Sequence, residues 1–219
     1  MELAPRLRQA VDSAVEGVAI SDLSAASKAL SLRYRNEVRD GRLHISDAKL
    51  ALAYIATRMP ATYAAIHASL TALAERAPDF APRTALDVGA GPGTVLWAAA
   101  AVWPDLQSIT LLEASPAIRA VGEKLTAANR LAHVDWRNAD VTRDTDRMAP
   151  SDLVTLAYVL DELSQEQRDK LVDRLWSLTS GVLVIVEPGT TAGWRRILQA
   201  RAQLIAAGAN ILAPCPHAL

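Results

Sequence analysis

The chain has a single cysteine, Cys215, and a single phenylalanine, Phe80, among its 219 residues. One thiol excludes an intrachain disulfide. With so little phenylalanine, leucine, valine, isoleucine and five tryptophans must supply most of the packing. No apolar run reaches the length a helix needs to cross a bilayer, so no membrane partner is expected. Charge of one sign is lacking too: the net charge is −1 and the pI about 6.4. Residues 1–80 hold ten Lys/Arg against nine Asp/Glu. That balance argues against holding nucleic acid by charge alone and leaves docking onto a folded RNA open. The start, Met1-Glu2-Leu3-Ala4-Pro5-Arg6, has no hydrophobic signal stretch, and acids follow at Asp12 and Glu16. A cytoplasmic location is the expectation.

What the chain does have is alanine, within an apolar fraction of 51%, and alanine favours helices. Residues 1–80 read as a helical region. One stripe runs Leu23, Ala26, Leu30 and Tyr34 behind Ser21 as N-cap. A second helix starts near Ser46-Asp47 and stops at Met59-Pro60, and a third aligns Tyr63, Ile66, Leu70, Leu73 and Ala77. Arg33, Arg35, Arg39 and Arg42 offer a line of phosphate contacts, but Glu37 and Asp40 between them fit a solvated face as well.

From residue 81 to 219 the pattern becomes strand–helix alternation. Strands are predicted at 84–88, 108–113, 133–136, 152–157 and 182–187, the last apolar enough for a sheet centre, and 210–213 can begin a sixth. Ser115-Pro116 and the capping-box spacing of Ser164-Gln165-Glu166-Gln167 open helices, and Gly208 closes the one over 192–207. The fold class that follows is α/β: a doubly wound, mostly parallel sheet with an N-terminal helical extension. Such sheets bind ligands beyond the carboxyl ends of their strands.

The turn after the first strand, Asp87-Val88-Gly89-Ala90-Gly91-Pro92-Gly93, carries the strongest signal. Gly89 and Gly91 permit backbone angles closed to other residues and let a ligand approach the main chain, with Ala90 and Gly93 completing the turn. The next helix aims its N-terminal dipole at that ligand. Asp87 before the turn suits a cationic amino group better than a phosphate. Glu113, ending the second strand, can accept from two ribose hydroxyls. Asp140, ending the third, can accept from an adenine amino group or be a solvated loop acid beside Asp144 and Asp146. A nicotinamide fingerprint would want Gly or Ala where Thr94 stands.

With Glu113 and Asp140, this turn resembles the three cofactor motifs of the class I S-adenosylmethionine-dependent methyltransferases. More narrowly, the chain is similar to the methyltransferase-like family of the mitochondrial small ribosomal subunit and its bacterial relatives. Arg58-Met59-Pro60-Ala61-Thr62-Tyr63, Tyr158-Val159-Leu160-Asp161-Glu162-Leu163, Glu187-Pro188-Gly189-Thr190 and Pro214-Cys215-Pro216-His217 carry that likeness. The resemblance implies S-adenosyl-L-methionine as cofactor and the small ribosomal subunit, or its rRNA, as partner. The implied activity is methyl transfer in ribosome maturation or translation; the alternative is a non-catalytic assembly factor that keeps the fold.

The loop after the fourth strand should hold the methyl acceptor. It lacks the Asn/Asp-Pro-Pro-aromatic motif of many base N-methyltransferases. Tyr158 can stack on a base and Asp161 or Glu162 can accept a proton, but packing and helix entry explain them equally well. No metal site is expected. In the related family further cysteines follow Cys-Pro-His and resemble an iron–sulfur ligand set. Cys215 and His217 would be remnants of it, since one thiolate cannot hold a cluster. This chain stops at Ala218-Leu219, so it is expected to be a shortened version. The last sheet strand would then be missing and the fifth left with an open edge.

Overall fold

Strand–helix alternation closes into a parallel five-stranded sheet in the computed structural model, which describes residues 2–36, 43–127, 129, 131 and 133–217. Four helices come first: α1 (Pro5–Val15), α2 (Ile20–Arg35), α3 (Ala48–Thr57) and α4 (Met59–Arg76). Then follow β1 (Thr84–Val88), α5 (Thr94–Val102), β2 (Ser108–Leu112), α6 (Pro116–Thr126) and β3 (His133–Arg137). The chain continues through β4 (Ser151–Ala157), α7 (Gln165–Ser177), β5 (Thr179–Val186) and α8 (Thr191–Ala206).

The strand order is β3-β2-β1-β4-β5, with every neighbouring pair parallel. Connections run one way from β1 and the other way from β4, so the switch point lies between these two strands. Register places Asp87 beside Leu111 on one side and Thr155 on the other. The two faces are packed differently. On one, Leu7, Leu30, Ile55, Met59 and Leu70 from the N-terminal helices share a core with Leu96, Ile109, Leu111 and Ile118. On the other, Leu171, Val172 and Leu175 of α7 and Ala200 of α8 cover Leu86, Val88, Val154 and Leu156.

Local chemistry sets most element ends. Asp47 caps α3 by accepting from the Leu50 N–H at 2.9 Å. The α3–α4 break falls at Arg58, with Pro60 in the first turn of α4, where its missing N–H costs nothing. The capping box of α7 forms between Ser164 and Gln167. Ser115 caps α6 and also donates its hydroxyl to the Ile45 carbonyl at 2.6 Å, which ties the N-terminal region to the sheet's mouth.

Three expectations need correction. The α2 helix starts at Ile20, ahead of Ser21, with Ala19 as its N-cap and no side-chain cap bond. The 182–187 segment, apolar enough for a sheet centre, lies instead at the open edge expected for the fifth strand, because β5 pairs only with β4 among the described residues. Residues 210–213 form no strand. Arg39 and Arg42, with Glu37, Asp40, Ala218 and Leu219, lie outside the described residues.

Candidate functional site

Asp87 lies in β1, 1% exposed, one residue before the strand ends. Its Oδ1 accepts from the Thr155 hydroxyl at 2.7 Å, while the buried Oδ2 has no hydrogen-bond partner. Burial raises its pKa to about 7, against the Thr155 hydrogen bond and with the Glu113 charge adding to the shift. A carboxylate left half-satisfied in the core is costly unless a ligand completes it.

The turn that follows is shaped by left-handed backbone at Gly89, Gly91 and Gly93, with φ of 75°, 55° and 78°. The Gly89 and Ala90 N–H groups both donate to the Leu112 carbonyl at 2.9 Å, locking the turn onto β2. A Cβ on Gly89 would stand 2.3 Å from Val159 Cγ2, and one on Gly93 2.9 Å from Thr126. Gly91 differs, because a Cβ there would meet nothing within 4 Å. Two glycines therefore serve close packing and the third faces open space.

Glu113 follows β2 and spans the turn. Its Oε2 accepts from the Gly91 N–H at 2.8 Å and its Oε1 from the Ser115 N–H at 2.7 Å. Burial raises its pKa, offset in part by backbone N–H bonds from Ser115, Gly91 and Ala114. A carboxylate has about four acceptor positions, so at least one remains for a hydroxyl. Asp140 is different. Thr142 donates to its Oδ1 through N–H and hydroxyl at 2.9 and 2.6 Å, and Arg143 to its Oδ2 at 2.7 and 3.1 Å. Burial alone would raise its pKa, but the Thr142 and Arg143 contacts outweigh that and hold it below the ordinary range. All four of its acceptor positions are filled within its own turn.

The loop after β4 lies directly on the glycine turn through the Val159–Gly89 contact. Tyr158 takes a φ of 61°, the one positive value outside glycine among the described residues. It is held by its N–H to the Val186 carbonyl at 2.8 Å. Asp161 is buried, and Glu162 lies 3.9 Å from His44 Nε2. Glu162 has its pKa pushed up to about 8 by burial, then by the charges of Asp161 and Glu113, with Arg33 opposing.

Sequence reasoning missed two parts of this neighbourhood. The first is Glu187, just after β5: its Oε2 accepts from Arg196 Nε at 2.7 Å and its Oε1 from the Leu160 N–H at 3.1 Å. Its position after a strand, matching Glu113, was the available signal. The second is the helical cover. Tyr34 stacks on His44 with ring centroids 4.8 Å apart, and the Arg58 guanidinium lies 4.5 Å from the Tyr34 centroid. Of these, His44 lies beside Glu162, whose side chain stays 37% exposed, and nothing local in these segments announces the contact.

The basic residues of α2 diverge. Arg33 faces Glu162, whereas Arg35 joins Ser27, Lys28, Ser31, Leu32 and Arg58 in lining a groove of about 590 Å³. Cys215 is exposed, and no group of three or more His, Cys, Asp or Glu suited to a metal occurs among the described residues. No helix of the described residues is long and apolar enough to cross a membrane.

A model of the family described as mitochondrial small ribosomal subunit Rsm22 matches residues 48–219. The human ribosome assembly protein METTL17, mitochondrial, is 32% identical over 185 residues, covering 78% of this chain and 40% of that protein. The Rsm22-cox11 tandem protein 2, mitochondrial, of Schizosaccharomyces pombe is 30% identical over 184 residues, covering 76% of this chain and 24% of that protein. The chain thus spans less than half the length of either relative. In shape it is similar to an O-methyltransferase family protein from Burkholderia thailandensis, with a TM-score of 0.57, 17% identity and coverage of 74% and 51% of the two chains. The plantazolicin methyltransferase BpumL bound to SAH gives a TM-score of 0.51 at 17% identity, covering 73% and 57%. These neighbours show the class I methyltransferase fold. The expected cytoplasmic location is corrected by the same comparisons, because the family description and both relatives name the mitochondrion.

Proposed function

From the premise that the chain belongs to the Rsm22 family of the mitochondrial small ribosomal subunit, we propose that it is an S-adenosylmethionine-binding factor in small-subunit maturation. The observation that carries this reading is the Asp87 oxygen without a partner beneath a glycine turn whose Gly91 faces open space. Asp87, Gly89, Ala90, Gly91, Gly93 and Glu113 would hold the cofactor. Asp87 would receive a cationic amino group, Glu113 the ribose hydroxyls, and the turn's backbone the closest approach. Asp140 is left out of this set because its own turn fills its acceptor positions.

When bound, S-adenosylmethionine supplies an electrophilic methyl group on a sulfonium. The residues across from the turn decide whether that methyl is used. A second reading, methyl transfer to rRNA, is favoured by Glu162, whose pKa of about 8 suits it to take a proton near neutrality. The assembly role is supported by the human relative, named for ribosome assembly. The cationic groove of Lys28, Arg35 and Arg58 would meet rRNA phosphates.

Calorimetric titration with S-adenosylhomocysteine tests the cofactor reading, beside an Asp87→Ala, Gly91→Val double variant. Micromolar binding lost in the variant supports it; no heat from a folded wild type overturns it. Methyl incorporation into immature small subunits then separates the catalytic reading from the assembly one.

A further inference from the structure

Thr155 and Asp87 stand side by side in the parallel register of β4 and β1. Both are buried, at 2% and 1% exposed. Thr155 interrupts an apolar stretch of β4 in which Leu153, Val154 and Leu156 are buried too. Its hydroxyl has one proton to give, and Asp87 Oδ1 at 2.7 Å takes it in preference to the Leu86 carbonyl at 3.4 Å. The second side-chain torsion of an aspartate is broad and roughly two-fold, so it needs a hydrogen bond to fix the carboxyl plane. Thr155 supplies that bond. With Oδ1 tied to β4, Oδ2 is the oxygen left over, and it has no hydrogen-bond partner in the fold. The turn that follows is open at Gly91, where an added Cβ would meet nothing within 4 Å.

Resting on the cofactor reading above, we propose that Thr155 is a positioning residue for the cofactor: its hydroxyl presents the free Asp87 oxygen to the ligand's ammonium group and favours the carboxylate form that captures it. Three influences set the charge of Asp87. Burial raises its pKa to about 7, the Thr155 hydrogen bond opposes the rise, and the Glu113 charge after β2 adds to it. Glu113 is itself moderated by the Ser115, Gly91 and Ala114 N–H groups and by Arg119 of α6. Before a ligand arrives, a neutral Asp87 acid costs less than an unpaired buried charge. A bound ammonium reverses that preference. The proton leaves Oδ2 for solvent, and an ammonium N–H takes its place as the partner of that oxygen. Without the Thr155 donor the acid form gains, and the same ligand must expel a more tightly held proton.

The test is calorimetry on the full chain from pH 5.5 to 7.5, below the range in which an α-amino group loses its proton. The ligands are S-adenosylhomocysteine and 5′-methylthioadenosine, which lacks the ammonium. Wild type should bind S-adenosylhomocysteine about twentyfold more tightly at pH 7.5 than at pH 5.5, levelling off around 7, and methylthioadenosine without that rise. Thr155→Val keeps the side chain's shape and removes the donor. Its S-adenosylhomocysteine affinity at pH 7.5 should fall about tenfold and its levelling point should move upward, while Thr155→Ser restores both. A merely structural role would weaken both ligands together and leave the levelling point in place. If the valine variant does not fold, Thr155→Ala is read in the same way. Binding of S-adenosylhomocysteine that is flat with pH, or a rise shared by methylthioadenosine, overturns the role of Thr155 and leaves the cofactor reading standing. So does an unmoved levelling point in the folded variant. Failure of folded wild type to bind either ligand anywhere in the range overturns the cofactor reading itself.

Discussion

Two turns abut at the carboxyl ends of the strands, and both enter left-handed backbone. After β1 the chain does so at Gly89, Gly91 and Gly93; after β4 it does so at Tyr158, which carries a side chain. Glycine meets no steric cost in that backbone, so the turn after β1 carries no strain for its surroundings to offset. A tyrosine at φ 61° costs about 1–2 kcal/mol and persists only if its surroundings enforce it. Here they do, through Tyr158 N–H to the Val186 carbonyl, Leu160 N–H to Glu187, and Arg168 Nε to the Leu160 carbonyl at 2.6 Å. The backbone angles of one turn are encoded by its own glycines, and those of the other are enforced by the end of β5.

The largest effect should come from cutting that support. Arg196→Ala leaves the Glu187 carboxylate, with its side chain 1% exposed, without its ion-pair partner. A loss of about 3–5 kcal/mol in urea denaturation is expected, since an uncompensated buried charge remains. Amide exchange at Leu160 should quicken as well, because its acceptor is Glu187. A stable variant with unchanged exchange would mean that the turn after β4 stands on its own.

Gly89→Ala tests the contact between the two turns. The new Cβ meets both an unfavourable φ and Val159 Cγ2 at 2.3 Å, so about 3 kcal/mol should be lost. Adding Val159→Ala should recover the steric part and leave the backbone strain. The double variant is then less destabilised than the two singles summed. Strict additivity would show that the turns do not press on one another.

The difference between these turns also explains what the sequence made readable. Strands β1 to β4, helices α5 to α7 and the glycine turn follow from hydrophobic spacing, caps and glycines, all of them local. The place of β5 followed only in part, since an open edge was expected of it while its apolar run suggested a sheet centre. Its run of Val182 to Val186 looks central, but burial pattern alone does not tell a sheet centre from an edge that α4 and α7 partly cover. Asp140 shows the same limit from the other side. Its strand-end position predicts a ligand contact, yet Thr142 and Arg143, only two and three residues on, claim both oxygens. The cover of Tyr34, His44 and Arg58 arises from contacts between distant segments, which no periodicity records.

Asp87 and its neighbour Thr155 join the two turns through the core, and pH should expose that join. An unfolded aspartate loses its proton near pH 4, whereas Asp87 in the fold keeps it to about 7. Between those values the unfolded state binds fewer protons, so stability falls as pH rises. Asp87→Asn removes this slope. At pH 8 it should be more stable than wild type by about 2 kcal/mol, and at pH 4 no more stable, when compared by urea midpoints. A wild-type stability flat from pH 5 to 8 would mean that Asp87 ionises without cost in the fold.

The smallest change in stability belongs to Gly91→Ala, and it sharpens the comparison most. At φ 55° with no atom within 4 Å of the added methyl, the variant bears backbone strain alone, about 1 kcal/mol. Gly89→Ala, two residues away, should cost about three times as much because it presses on Val159. Ligand binding should reverse the ranking relative to stability. If the cofactor lies against Gly91, a methyl group in that open space weakens S-adenosylmethionine at least tenfold for little loss of fold, whereas in Gly89→Ala with Val159→Ala the binding loss follows the stability loss. Measured side by side, the variants separate a glycine kept for packing from a glycine kept for a ligand. Undiminished affinity in Gly91→Ala would move the ligand off this turn, whatever else the fold resembles.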